Sequence, residues 1–255
     1  MSELSRFAGV ELQVCELGTE STRAAVFLAS APNKKVVRLT GGAGGMAASQ
    51  ANEMYDMFVS AFKGCEVALI AGGTRMLAAP GYTQVKPSIT EVLPKIIACS
   101  PKARAIGVVP RIDNMVLHNG NLVIYREPEH INIIHPKLHS CIILQYADRG
   151  LKDLWTKEWQ ASLEYMELLR DSGGYEPLHI VYNGGMYTEQ ELLHVAKLTK
   201  RKQARLLLIE GSGRMASKYA ADKAFRSQYN DQTEVLSCKP HELAQVLREL
   251  KIVQQ

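Results

Sequence analysis

The 255-residue chain is long enough to bury a sizeable core without disulfides or structural metals. Hydrophobic residues at 46% and charged residues at 22% exclude extended disorder and low-complexity arrays, and no run approaches the ~20 apolar residues of a membrane span. The net charge of +4 is spread without a long single-sign block, which argues against nucleic acid as a partner.

In chain order, the first 35 residues are expected to add peripheral strands at Val10–Cys15 and Ala24–Leu28. This start lacks a basic end followed by an apolar stretch, so it does not read as a secretory signal. Four β-branched apolar runs then stop abruptly at glycines. They are Val36–Thr40 before Gly41-Gly42, Val67–Ala71 before Gly72-Gly73, His179–Asn183 before Gly184-Gly185, and Leu206–Glu210 before Gly211-Ser212-Gly213. Near-continuous apolar runs are the mark of parallel strands buried on both faces, and Ala105–Val109 and Cys141–Gln145 fit the same sheet. Helical periodicity fills the intervals at Met46–Phe62, Ile89–Ala98, Leu154–Leu169, Thr188–Thr199, Met215–Phe225 and His241–Leu250. Such alternation predicts an α/β fold: a doubly wound, mostly parallel Rossmann-like sheet with helices on both faces. One domain is expected over 1–255, with a core at 36–222 and a C-terminal strand and helix in 223–255. Residues 114–137, turning at Asn119-Gly120-Asn121, break the pattern and read as a hairpin or lid.

Thr188 followed by Glu191 has the spacing of a helix capping box. Trp155 and Trp159 share a helix face and read as cover for the core. The basic cluster Lys197, Lys200, Arg201, Lys202 and Arg205 ends a helical pattern, where cations complement the helix dipole. The five cysteines are scattered without a C-x-x-C pair and read as reduced core thiols, which together with the absent signal predicts a cytoplasmic protein. Pro136 interrupts the His135/His139 pair, so no metal site is expected. Ser-His-Asp order, G-x-S-x-G, Walker and H-E-x-x-H motifs are absent.

Glycine pairs after parallel strands let the backbone turn tightly and bring its N–H groups against a phosphate, aided by the dipole of a following helix. In an open parallel sheet all such loops share one edge, where ligands bind. The expected ligand-binding set is therefore Thr40, Gly41, Gly42 and Ala43; Gly72, Gly73, Thr74 and Arg75; Gly184, Gly185 and Thr188; and Glu210, Gly211, Ser212, Gly213 and Arg214. Arg214, opening a helix, offers a guanidinium that can fork onto phosphate.

In order, the blocks Leu39-Thr-Gly-Gly-Ala43, Leu69-Ile-Ala-Gly-Gly-Thr74, Ala105-Ile-Gly-Val-Val-Pro110, Val181-Tyr-Asn-Gly-Gly185 and Ile209-Glu-Gly-Ser-Gly-Arg214 resemble the SLOG superfamily. That group joins LOG-type phosphoribohydrolases with the N-terminal ligand-sensing domain of TRPM channels. The resemblance implies a sensor of a nucleotide-derived molecule such as ADP-ribose or its cyclic form, needing no cofactor and acting alone or with a second copy or an effector protein. The enzymatic branch, which cleaves the N-glycosidic bond of nucleoside monophosphates, carries P-G-G-x-G-T-x-x-E. Here that stretch reads Asn183-Gly-Gly-Met-Tyr-Thr188-Glu-Gln-Glu191. The hydrolase alternative makes Glu191 catalytic, while Tyr187 is expected to crowd the phosphate loop if its position needs positive φ. A ligand-free interaction module is the third alternative.

Overall fold

The computed structural model describes residues 6–7, 10–16, 34–42, 46–110, 116–145, 154–229 and 235–253. Its first half contains β1 (Arg6–Phe7), β2 (Val10–Glu16), β3 (Lys35–Gly41), α1 (Ala48–Ala61), β4 (Ala68–Gly72), β5 (Thr74–Ala78), β6 (Gln84–Val85), α2 (Val92–Cys99) and β7 (Arg104–Pro110). Then come β8 (Val116–His118), β9 (Asn121–Arg126), β10 (His130–Ile134), β11 (Ser140–Gln145), α3 (Leu154–Gly173) and β12 (Glu176–Tyr182). The chain closes with α4 (Met186–Thr199), β13 (Arg205–Ile209), α5 (Arg214–Ala221), α6 (Lys223–Tyr229), β14 (Val235–Cys238) and α7 (Leu243–Glu249).

Nine strands form the central sheet in the order β1-β2-β11-β7-β4-β3-β12-β13-β14. Every neighbouring pair from β2 to β14 is parallel, and β1 joins antiparallel. From β3 the chain winds outward through β4, β7 and β11, then returns to lay β12 on the other side of β3 and winds the opposite way. The fold is thus a doubly wound α/β sheet whose strand order reverses between β3 and β12, the kind of crevice where such sheets take ligands.

Alternation along each strand assigns the two faces. Val37 and Leu39 of β3 join Leu178 and Ile180 of β12 and Leu207 and Ile209 of β13 in a core under α1, α2 and α7. The opposite face packs Ile70, Ile106 and Val108 against Tyr165 and Leu169 of α3, and Leu206 and Leu208 against Leu192 and Val195 of α4. Arg38 and Thr40, alternating with Val37 and Leu39, belong to this second face, as does His179, which is paired with Arg38 in the β3–β12 register.

The excursion expected at 114–137 belongs to a larger unit, a five-stranded antiparallel sheet ordered β6-β5-β10-β9-β8. The chain enters it at Gly73, between β4 and β5. A Cβ on Gly73 would stand 2.6 Å from Val109 Cγ1 and 2.9 Å from Cys141 Sγ, so only glycine lets this crossing lie on β7 and β11. The strand expected at Val10–Cys15 is β2, which pairs in parallel with β11 next to the edge of the central sheet. Ala24–Leu28 lies outside the described residues. Among the described residues no helix is long and apolar enough to cross a membrane.

Candidate ligand-binding site

A cavity of about 510 Å³ opens where the strand order reverses. Its floor is the carboxyl ends of β3 and β12, with Thr40, Gly41, Gly42 and Gly185. One wall is a face of the small sheet: Thr74 and Met76 from β5, His130 and Asn132 from β10. The other wall is Trp155, Glu158 and Trp159 from α3 and the first turn of α4.

An arginine at the centre of a buried strand must find counter-charges, because an unpaired buried cation is prohibitively costly. Arg38 donates through Nε to Glu191 Oε1 at 2.9 Å and through Nη2 to Glu191 Oε2 at 3.4 Å. Glu158 Oε1 approaches the same Nη2 at 3.6 Å, and Thr40 donates its hydroxyl to Glu191 Oε1 at 2.8 Å. The buried Arg38 Nη1 has no partner. Burial, and secondarily the charge of Glu191, push the Glu158 carboxyl up to about 7 even though Arg38 opposes the shift. Burial, then the Arg38 charge, push His179 down to about 3, so it is neutral beside the arginine. The floor therefore holds one fixed guanidinium, one engaged carboxylate and one carboxyl that titrates near neutrality.

The anion-accepting end is built from two loops. Gly213 has φ of 100° and Arg214 itself 43°, a left-handed entry that turns the arginine back over the β3 and β12 loops. A Cβ placed on Gly185 would stand 2.7 Å from Nη2 of Arg214, and one on Gly42 would stand 3.4 Å from Nη1. Gly185 also caps α4, whose first N–H groups have no intrahelical acceptors and carry the positive end of the helix dipole. A guanidinium lying over this helix start is an arrangement suited to phosphate or carboxylate.

Of the expected residues, Thr40, Gly41, Gly42, Gly72, Thr74, Gly185, Thr188 and Arg214 line the cavity, as does Glu191. None of the other described ones does, and each of these has a structural occupation. Gly73 makes the crossing described above. Arg75 turns away into a two-pronged pair with Glu91, 2.8 Å on each oxygen, and meets His135 Nε2 at 3.0 Å. Burial opposes ionisation of Glu91, but hydrogen bonds from His135 and Arg75 hold its carboxyl below the usual range. Gly184, at φ of 96°, packs on Thr188. Glu210 accepts from the Ser237 hydroxyl at 2.8 Å. Ser212 donates to the Ile209 carbonyl at 2.7 Å and accepts from the Asn183 N–H at 3.0 Å, lashing two strand ends together. Gly211 and Gly213 supply positive φ for that turn. Ala43 lies outside the described residues.

Three expectations need correction. The capping box fails because α4 begins two residues earlier, at Met186 with Gly185 as its cap, so Thr188 is inside the helix and Glu191 binds Arg38 and Thr40. Tyr187 is helical and lines the cavity, so it meets no positive-φ constraint. Asn183 stands where the enzymatic pattern has proline because its φ is 56°, which proline cannot adopt. The helix-dipole logic also fails after Gly72-Gly73, where a strand follows instead of a helix.

Arg38, Glu158, Met76 and Asn132 were not singled out by motif. Arg38 had a legible signal, a charge inside an apolar strand. Glu158 had none, since nothing local distinguishes it from the exposed acids of an amphipathic helix. Both tryptophans line the cavity, and Trp159 also packs into the core under α4.

No protein-family model and no curated protein matches this sequence. Three solved structures of the molybdenum cofactor (Moco) carrier protein from Chlamydomonas reinhardtii superpose on it with TM-scores of 0.45, 0.45 and 0.42 and sequence identities of 13%, 12% and 11%. Each covers 85% of this chain and 95%, 98% and 97% of its own. A superposition this loose carries no inference about the ligand.

Proposed function

We propose that this protein binds a nucleotide-derived small molecule, with its phosphate under Arg214 and its sugar and base along the cavity, and that binding serves as a sensor. The observation that carries the reading is the guanidinium of Arg214 resting against Gly42 and Gly185 at the start of α4. The order of glycine blocks, similar to that of SLOG sensor domains, supports the same class of ligand. The cavity volume of about 510 Å³ falls in the range of small-molecule sites. Binding without turnover is favoured because Arg38 and Thr40 already occupy the Glu191 carboxylate. A thermal-shift panel of ADP-ribose, cyclic ADP-ribose, NAD and nucleoside monophosphates tests it, since a ligand at 100 times its Kd adds about 2.7 kcal/mol. At least one phosphate-bearing compound should raise the melting temperature in wild type and not in Arg214→Ala. Silence across the panel would leave an interaction module.

One observation favours hydrolysis of an N-glycosidic bond as a second reading. The Glu158 carboxyl, at about 7, faces the cavity and can hold or give a proton near neutral pH. In that reading Glu158 protonates the departing base as the C–N bond breaks, water attacks the anomeric carbon, and the proton the water sheds restores the Glu158 carboxyl. Free base released from AMP by wild type and not by Glu158→Gln, assayed by chromatography, would establish it.

A further inference from the structure

Most polar groups around the cavity have protein partners; the buried Arg38 Nη1, Ser88 Oγ and Trp159 Nε1 do not, and Asn132 presents its carboxamide to the cavity. Its side chain is 3% exposed, lines the cavity, and makes no hydrogen bond to any described residue. A carboxamide has two donors and an acceptor, and here they open onto the cavity, where a ligand can meet them. The strand pattern fixes its direction. Leu77, Ile131 and Ile133 turn to the far face of the small sheet, where they form their own apolar cluster. Thr74, Met76, His130 and Asn132 alternate with them and share the cavity face, with Met76 directly across from Asn132 in the β5–β10 register.

The position relative to Arg214 matters as much. The small sheet grows out of the end of β4, whereas the guanidinium of Arg214 lies over the loops of β3 and β12. Both groups line the one cavity, so a single ligand can place its phosphate at Arg214 and its base at Asn132. Met76 beside Asn132 and Trp155 on the other wall offer a polarizable thioether and an indole to a flat ring.

Resting on the nucleotide reading above, we propose that Asn132 is the base-specificity residue, its carboxamide pairing with a planar heterocycle that presents a hydrogen-bond donor beside an acceptor. The amino group and ring nitrogen of adenine's N6/N7 edge fit this geometry, because a carboxamide pairs with them through both its oxygen and its NH₂. A 6-oxo purine presents two acceptors on that edge and satisfies only the NH₂.

The test uses AMP, IMP, 7-deaza-AMP and ribose 5-phosphate as calorimetric probes of the full chain. Wild type should bind AMP at least tenfold more tightly than IMP or 7-deaza-AMP. Asn132→Ala and the size-conserving Asn132→Asp should lose roughly tenfold to a hundredfold in AMP affinity and erase the preference. Ribose 5-phosphate should bind all three proteins alike, which also shows that the variants are folded. Equal binding of AMP and IMP by wild type, or a preference that survives in both variants, overturns the role of Asn132 and leaves the nucleotide reading intact. Failure of wild type to bind any of the four probes overturns the role of Asn132, and silence toward ADP-ribose, cyclic ADP-ribose and NAD as well overturns the nucleotide reading.

Discussion

Arg38 and Glu191 are joined by a two-pronged ion pair buried beneath the cavity, 2.9 Å at Nε, although they are 153 residues apart in sequence. The pair ties β3 to α4 across the point where the sheet reverses, and Thr40 completes it from two residues along β3. Removing the cation leaves Glu158 and Glu191 facing each other without a counter-charge. Arg38→Ala should therefore destabilise the fold by about 3–5 kcal/mol in urea denaturation. Glu191→Gln keeps an acceptor for Arg38 and Thr40 and should cost less. Wild-type stability in Arg38→Ala would show that the pair is not a structural element.

Two glycines of similar appearance should behave oppositely. At Gly73 a Cβ meets Val109 and Cys141 at 2.6 and 2.9 Å, so Gly73→Ala should destabilise the protein by about 1–3 kcal/mol whether or not ligand is present. At Gly185 the Cβ meets only the tip of Arg214, a flexible side chain that can move aside. Gly185→Ala should melt near the wild-type temperature yet bind phosphate-bearing ligand more weakly. Melting curves with and without AMP separate the two cases.

Ser212, within the motif most suggestive of ligand contact, is buried with both hydrogen-bond functions used by the protein. Ser212→Ala strands the Asn183 N–H and should cost about 1–3 kcal/mol of stability. Its ligand affinity should follow the fraction folded.

Glu158 provides a pH signature. Burial lifts its carboxyl from 4.5 to about 7, so the folded state holds a proton that the unfolded state releases. Its stabilising contribution is present below about pH 4.5 and is lost as pH rises through about 7, up to about 3 kcal/mol in total. Relative to Glu158→Gln, wild type should lose stability steadily between about pH 4.5 and 7 and level off above that. His179, held low at about 3, contributes with the opposite sign at lower pH but is common to both proteins, so the difference isolates Glu158. Parallel pH–stability curves would contradict the assignment.

The sheet was legible because buried parallel strands announce themselves as apolar runs ending in glycine, and those runs match β3, β4, β12 and β13 to within a residue or two at most ends. The small sheet was only glimpsed, since β5 reads as the continuation of a glycine loop and its partner β10 lies 52 residues beyond, from His130 against Ala78. Glycine loops marked the correct edge but not their separate roles. Gly73, Ser212 and Arg75 hold the frame, while Arg214 and Gly185 face the cavity, a division that depends on side-chain direction and long-range partners. Glu158 and Asn132 reach the cavity through helix and strand faces whose neighbours come from distant segments, and no local pattern reports that.

The central claim is that Arg214 holds the phosphate of a nucleotide-derived ligand, and titration calorimetry of ADP-ribose and AMP into wild type and Arg214→Ala tests it most directly. Wild type should bind at least one of them, and Arg214→Ala should lose roughly tenfold to a hundredfold in affinity, about 1.5–3 kcal/mol, with its melting temperature unchanged in the absence of ligand. Equal affinities in the two proteins, or no heat of binding in wild type, would contradict it.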